Sequence, residues 1–374
     1  MTDDNTVLPT SGNLVIIGNG MVGHHLVKTL VEQGDASPWT IHVFAGENRP
    51  AYDRVHLSAL FDDQTPEDLC LSPAQWYRDN RVTLHLNDEV VEIDRDHKTV
   101  ITAGGVRQDY DALVLATGSY PFVPPIPGID EIDILTSENL WTLTEQPRRL
   151  IVLGGGPIGC ELAQSFARLG SEVTQVEMLP RLMPREDEDA AALVTASLRD
   201  SGVTVLTNHK AARFAVEDGE KVLYVQADDG EKRLPFDAVL VAVGRRANTD
   251  GLGLEAMNIA TEKNGTVAVD GFLRTRFPNI FACGDVAGPY QFTHVAAHQA
   301  WYASVNALFG RFKKFQVDYR VIPWATFTDP EVARVGLSED EAREQGIEVE
   351  VTRYGIDDLD RAIADSTDHG FVKV

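Results

Sequence analysis

One strand-turn-helix-strand unit, written twice, constrains this chain more than any other feature. A short apolar stretch, Leu14 to Ile17, runs into Gly18-Asn19-Gly20-Met21-Val22-Gly23. A helical pattern through Val22, Leu26, Val27, Leu30 and Val31 follows, closed at Gly34, and then a second strand from Ile41 to Phe44. Far downstream, Leu150 to Leu153 leads into Gly154-Gly155-Gly156-Pro157-Ile158-Gly159. A helix through Leu162, Phe166 and Leu169 comes next, stopped by Gly170, and then a strand from Glu172 to Glu177. Each unit is followed by hairpins with acidic and glycine turns: Asp94 to Lys98 in the first half, Glu217 to Lys221 and Asp228 to Lys232 in the second. Each half then reaches a matching strand, Tyr110 to Gly118 and Phe236 to Gly244. A duplicated dinucleotide fold accounts for the repeat.

The spacing of the glycines carries chemistry. In GxGxxG the first glycine makes the strand-to-helix turn, the second lets backbone approach a pyrophosphate, and the third lets helix and strand pack closely. The helix N-terminus then offers free N–H groups and a partial positive charge to the phosphates. An acid at the end of the second strand is expected to hold the adenosine ribose. Glu177 ends that strand in the second unit, so NADH is expected over NADPH, with Arg181 and Arg185 downstream able to weaken the preference. In the first unit the strand ends at Phe44, and the nearest acid, Glu47, reads equally as a ribose ligand or an ordinary loop acid. Asp285 closes the apolar segment Asn279 to Gly284, where it could accept from a polyol such as a flavin ribityl chain or cap a helix.

Bulk properties exclude several classes. The chain carries 33 basic and 57 acidic side chains, a net charge of −24 that argues against nucleic acid and anionic lipid. Runs such as Ala238 to Val243 are strand-length, and the polar stretch Met1 to Asn13 does not read as a signal peptide, so a cytoplasmic location without a membrane span is expected. Cys70, Cys160 and Cys283 form no close pair, which removes any local signal for a zinc knuckle, iron–sulfur cluster or redox disulfide.

Taken together, the two glycine motifs, Ala116-Thr117-Gly118, Gly244-Arg245-Arg246-Ala247-Asn248 and Ala282-Cys283-Gly284-Asp285 resemble the FAD-dependent pyridine nucleotide–disulfide oxidoreductases over about the whole chain. The N-terminal part, with Ala51-Tyr52-Asp53-Arg54-Val55-His56-Leu57-Ser58, is similar to the assimilatory nitrite reductase large subunit. From about Ile151 onward, most clearly from Val317 to Trp324 and through Asp329-Pro330-Glu331, it is similar to mercuric reductase and dihydrolipoamide dehydrogenase. The resemblance implies an α/β fold with two Rossmann-like three-layer domains, one inserted in the other, plus a partial α+β dimerisation-type domain. The expected boundaries are 1–120 and 250–315 for FAD, 121–249 for NAD(P)H and 316–374 for the interface segment. It further implies that Gly18, Gly20, Gly23, Thr117, Gly118 and Asp285 contact FAD, with Arg54 either reaching its phosphates or lying on the surface. Gly154, Gly156, Gly159, Glu177 and Gly244 fall to NADH.

Two departures shape the expected chemistry. The family's disulfide reductases carry a CxxxxC pair early in the FAD module; this chain has none, and Leu57-Ser58 is followed by Ala59 where some relatives place a single cysteine. The family's C-terminal His-Glu pair is also missing, since the chain ends at Val374 inside an apparent strand, Gly370 to Val374. The expectation is an NADH-dependent flavoprotein passing hydride to FAD and on to a non-disulfide acceptor: a redox protein, a quinone or similar. The alternatives are a truncated or mosaic FAD- and NAD-binding chain without turnover, or a nitrite-reductase-type diaphorase component. His294, opening a helix after Asp285, is a candidate donor to the reduced flavin; it reads otherwise as one of a structural pair with His298 on one helix face. Glu161, placed on the first turn of the second motif helix, is the other catalytic candidate and reads otherwise as a helix-dipole acid. No third ligand lies near His294 and His298, so no metal site is expected. A homodimer is expected from the interface segment.

Overall fold

Continuously apolar strands, buried on both faces, are what parallel sheets require, and two such sheets organise the molecule. The computed structural model describes residues 10–32, 38–62 and 64–374; Gly34, expected to close the first motif helix, and most of Met1 to Asn13 lie outside them. Contacts divide the chain into two compact units: residues up to Tyr120 with Arg245–Tyr319, and Pro121–Gly244 with Arg320–Val374.

In the first unit the strand Gly12–Ile17 leads through the glycine loop into the helix Met21–Glu32 and back to the strand Trp39–Phe44. The sheet is parallel, with spatial order Ile280–Ala282, Ala112–Leu115, Gly12–Ile17, Trp39–Phe44, Val82–His85. Leu14, Val15, Ile16 and Ala112 to Leu115 are wholly buried between two apolar layers, one under the helices Met21–Glu32 and Thr293–Phe309, the other around Phe44, Tyr110 and Ile280.

The second unit repeats the plan. Its parallel sheet runs Ile134–Leu135, Ala238–Val241, Arg149–Leu153, Glu172–Val176, Thr204–Leu206, with the helix Pro157–Arg168 following the central strand. Even the register repeats: Leu14 to Ile17 lie opposite Ala112 to Leu115, and Leu150 to Leu153 opposite Ala238 to Val241. A three-stranded antiparallel sheet accompanies each, Val90–Asp109 and Lys210–Phe236, its turns at the acidic and glycine positions read from sequence. Pro157 begins the second motif helix, where its missing N–H costs nothing. Leu169 caps it, and Gly170 turns the chain away at φ +104.

Several expected elements are shorter than read. Only Ala112–Leu115 and Ala238–Val241 of the two matching strands are strand; the residues after them peel off toward Gly118 (φ +73) and Gly244 (φ +125). The expected strand Val321 to Thr328 reduces to Pro323–Thr326, paired with Val332–Val335, because Asp329-Pro330 turns the chain. The expected helix Ser338 to Gln345 spans Glu339–Glu344, with Ser338 and Glu341 forming a capping box. Among the described residues no helix is long and apolar enough to cross a membrane.

Candidate functional site

Because all strands of each sheet run the same way, their C-terminal ends share one edge, and a ligand site is expected where the strand order reverses. In the first unit that point lies between Gly12–Ile17 and Ala112–Leu115. The sequence after Ile17 supplies Gly18, Gly20 and Gly23 there, and the sequence after Leu115 supplies Thr117 and Gly118. The three glycines divide by cause. Gly18 (φ +107) could carry a side chain only by colliding with the Ala116 carbonyl, and Gly23 only by colliding with the Gly18 carbonyl. Gly20 has no heavy atom within 4 Å of where a Cβ would stand. The second motif repeats the division: Gly154 faces the Ala242 carbonyl, Gly159 the Gly154 carbonyl, and Gly156 faces open space. Protein packing thus explains the outer glycines of each motif, and a ligand cradle explains the middle ones. Gly118 and Gly244 are likewise left-handed with nothing near a hypothetical Cβ.

Asp285 is held rather than used as a helix cap. Its Oδ2 accepts the Ser119 hydroxyl at 2.5 Å, and Ser119 in turn accepts from Arg245 Nε at 2.7 Å. The residue that actually precedes the helix Thr293–Phe309 as N-cap is Phe292. Gln299, wholly buried, clamps the Gly-Asp loop from that helix, taking the Gly284 N–H at 2.6 Å and donating to the Gly288 carbonyl at 2.5 Å. Thr117 and Asn248 exchange hydrogen bonds at 2.7 and 2.9 Å, tying the loop after Leu115 to the segment after Ala247. Sequence reasoning missed Ser119 and Gln299 as members of the site. Their partners lie on other segments, and no local pattern marks them.

Glu47 and Arg54 are brought together: Arg54 Nη2 donates to Glu47 Oε1 at 2.5 Å, and its guanidinium lies 5.1 Å from the Tyr52 ring centre. Both are substantially solvent-exposed, so the pair adds little stability. Glu177 is buried at the head of the second motif helix, where Oε2 accepts the Gly155 N–H at 2.6 Å and Oε1 the Leu179 N–H at 2.7 Å. Arg181 turns back on its own loop, donating to the Glu186 and Pro184 carbonyls.

Two expectations for the catalytic candidates change. The helix starts at Pro157, so Glu161 stands on its second turn, past the free N–H groups, and is not a helix-dipole acid. Its Oε1 accepts the Phe327 N–H at 2.8 Å, and burial raises its pKa. With Gln164 and Arg168, which bind Asp329, it forms one helix face that docks residues 327–329. His294 and His298 engage different neighbours: His294 stacks on Phe292 at 5.6 Å, and His298 meets Tyr302 edge-on at 4.8 Å. Among the described residues no group of three His, Cys, Asp or Glu side chains could hold a metal ion.

Residues 12–300 match the family described as pyridine nucleotide-disulphide oxidoreductase, and residues 322–374 match its dimerisation domain. The chain belongs to this family. The family is one of FAD-dependent NAD(P)H oxidoreductases, and the paired cradles over Gly20 and Gly156 fit two dinucleotides. A mercuric reductase from Acidithiobacillus ferrooxidans is 37% identical over 316 residues, 83% of this chain and 53% of the relative. A dihydrolipoyl dehydrogenase from Chlamydia pneumoniae is 35% identical over 263 residues, 70% of this chain and 55% of the relative. The chain spans about half the length of the curated relatives it matches. Among solved structures, the Cu(II) complex of the HOCl-induced flavoprotein disulfide reductase RclA from Escherichia coli superposes with a TM-score of 0.81 at 28% identity, covering 98% of this chain and 86% of that one.

Proposed function

We propose that this chain is an NADH-dependent flavoprotein oxidoreductase whose electrons leave by a route other than a disulfide. One observation carries the reading: two cradles with room kept over their middle glycines stand in a chain whose thiols are poorly placed for a relay. Cys160 and Cys283 are wholly buried, and burial pushes both thiols up to about 12. Cys70 is half-buried, and all three are free.

FAD, when bound, supplies a hydride acceptor toward the nicotinamide and a donor toward the outgoing acceptor. The protein's part is binding and orientation. In this reading the loop Gly18 to Gly23 and the first motif helix hold the FAD pyrophosphate, Thr117 and Gly118 line the same crevice, and Asp285, fixed by Ser119, accepts from the ribityl hydroxyls. Glu47 and Arg54 serve its adenosine end. Gly154, Gly156, Gly159 and Gly244 frame the nicotinamide nucleotide, and Glu177 takes its adenosine ribose, with Arg181 occupied by backbone carbonyls. That arrangement favours NADH over NADPH. The N-terminal turn of the helix Thr293–Phe309, with His294, is the candidate for holding negative charge on the reduced flavin. The acceptor is a redox protein, a quinone or a similar non-disulfide compound, and residues 322–374 support a homodimer.

The test is an anaerobic titration of FAD-loaded protein, followed by an acceptor screen with NADH and NADPH in parallel. Bleaching of the yellow flavin by stoichiometric NADH is expected. A flavin left oxidised by excess NADH overturns the reading, and turnover with dihydrolipoamide or mercuric ion overturns its choice of acceptor.

A further inference from the structure

The first glycine motif ends a buried hydrogen-bonded chain that the proposed function does not use. Asn19, between the first two glycines, is 9% exposed, and its Oδ1 accepts the Tyr77 phenol at 3.1 Å. Tyr77 lies on the helix Ala74–Asp79, is wholly buried, and sits 2.9 Å from Nδ1 of His24 on the first motif helix. The phenol has one proton, and it goes to Asn19, so His24 donates from Nδ1. Its ring is neutral, since burial lowers its pKa to about 4. That leaves Nε2 as the acceptor, facing the Ser72 hydroxyl at 3.5 Å. The direction of donation is therefore set along the whole chain: Ser72, His24, Tyr77, Asn19. Each bond polarises the next.

The chain stops at Asn19 Nδ2, which is buried and has no hydrogen-bond partner. Orphaned buried N–H donors are rare, rarer than under-satisfied oxygens. The other two buried atoms without partners are oxygens, Tyr110 Oη and Gln175 Oε1, and the Gln175 amide nitrogen is already bonded to the Gly154 carbonyl. Asn19 alone leaves an N–H donor open, and it does so beside Gly20, where the cradle has room.

We propose that Asn19 is a cofactor-binding residue whose side-chain amide donates to a pyrophosphate oxygen of FAD, and that Tyr77 and His24 are positioning residues that aim it. The inference rests on the FAD reading above and gives the x position of this motif a specific task. An anionic acceptor suits a donor polarised by the chain behind it.

The experiment measures the FAD Kd of flavin-stripped full-length chain by fluorescence quenching. The melting temperature without flavin and the Kd for NADH are taken alongside. Asn19→Ala is expected to weaken FAD about tenfold, the loss of one hydrogen bond to a charged group, and to leave NADH affinity unchanged. Asn19→Asp keeps the acceptor for Tyr77 but replaces the donor with a negative charge, and is expected to weaken FAD by about a hundredfold or more. Tyr77→Phe frees the amide to rotate and is expected to lose about threefold in FAD affinity with little change in apo melting. An Asn19→Ala or Asn19→Asp variant that binds FAD within about twofold of wild type overturns the proposal. So does a loss that appears equally in NADH affinity and apo melting, because the role would then be structural. A wild-type chain that takes up no FAD overturns the parent reading as well, and the two failures are thereby told apart.

Discussion

Glu177 folds its carboxylate over the second glycine motif, accepting the Gly155 N–H at 2.6 Å while its other oxygen takes the Leu179 N–H at 2.7 Å. The acid therefore holds the cradle as well as presenting charge to a ribose. The two roles separate by substitution. Glu177→Gln keeps one acceptor and most of the packing but removes the charge, so the NADH-over-NADPH ratio in kcat/KM is expected to fall about tenfold with little change in melting temperature. Glu177→Ala leaves two backbone donors without partners and is expected to destabilise the fold by about 1–3 kcal/mol. Stopped-flow flavin reduction with each nucleotide, beside thermal melts, measures both. An unchanged ratio in Glu177→Gln would remove the ribose role.

The glycines of the two motifs make a second pair of opposed expectations. Gly23 and Gly159 face backbone carbonyls that a methyl group would strike, so Gly23→Ala and Gly159→Ala are expected to lower stability before they touch binding. Gly20→Ala and Gly156→Ala meet nothing within 4 Å and are expected to melt as the wild type does while losing FAD and NADH respectively. Paired melting and binding titrations decide it. Equal destabilisation by all four would mean that the middle glycines serve folding alone.

The repeat made most of this architecture legible, because the glycine spacing, the buried strands and the turn residues all point the same way. Gly18 and Gly154, Asp285 and Glu177 stand at strand ends as their sequence context implied. What could not be read were the side chains that fix them. Ser119 and Gln299 reach their partners across segments far apart in the chain, and Tyr77 finds Asn19 and His24 through tertiary packing of a short helix. Glu161 was misplaced by one turn because a proline at the first helical position shifts the count of free N–H groups, and its backbone partner, Phe327, lies in a segment with no local signal.

The cysteines give a chemical check on the proposed electron route. Burial raises the thiols of Cys160 and Cys283 to about 12, so near pH 8 they are almost wholly protonated and shielded. A thiol-exchange reagent is expected to label at most Cys70 in the native chain and all three cysteines after denaturation. Reduction with NADH before labelling should leave the native count unchanged. Two additional thiols appearing on reduction would reveal a disulfide couple and contradict the non-disulfide outlet.

His24 provides the pH dependence. Its pKa is lowered to about 4 in the folded chain, by burial first and then by Lys28 and His25, against about 6.5 when unfolded. Between those values the unfolded chain carries the proton and the folded chain does not, so acidification favours unfolding. The contribution is complete above about pH 6.5, is lost as pH falls toward 4, and changes no further below that, for a total of up to about 3 kcal/mol. Gln at this position can still donate to Tyr77 but cannot titrate. His24→Gln is therefore expected to flatten the fall in apo melting temperature between about pH 6.5 and 4 relative to wild type, leaving the steeper loss below 4, where carboxylates titrate, in place. Parallel melting curves for the two proteins would show that His24 accepts its proton without breaking the chain to Tyr77 and Asn19.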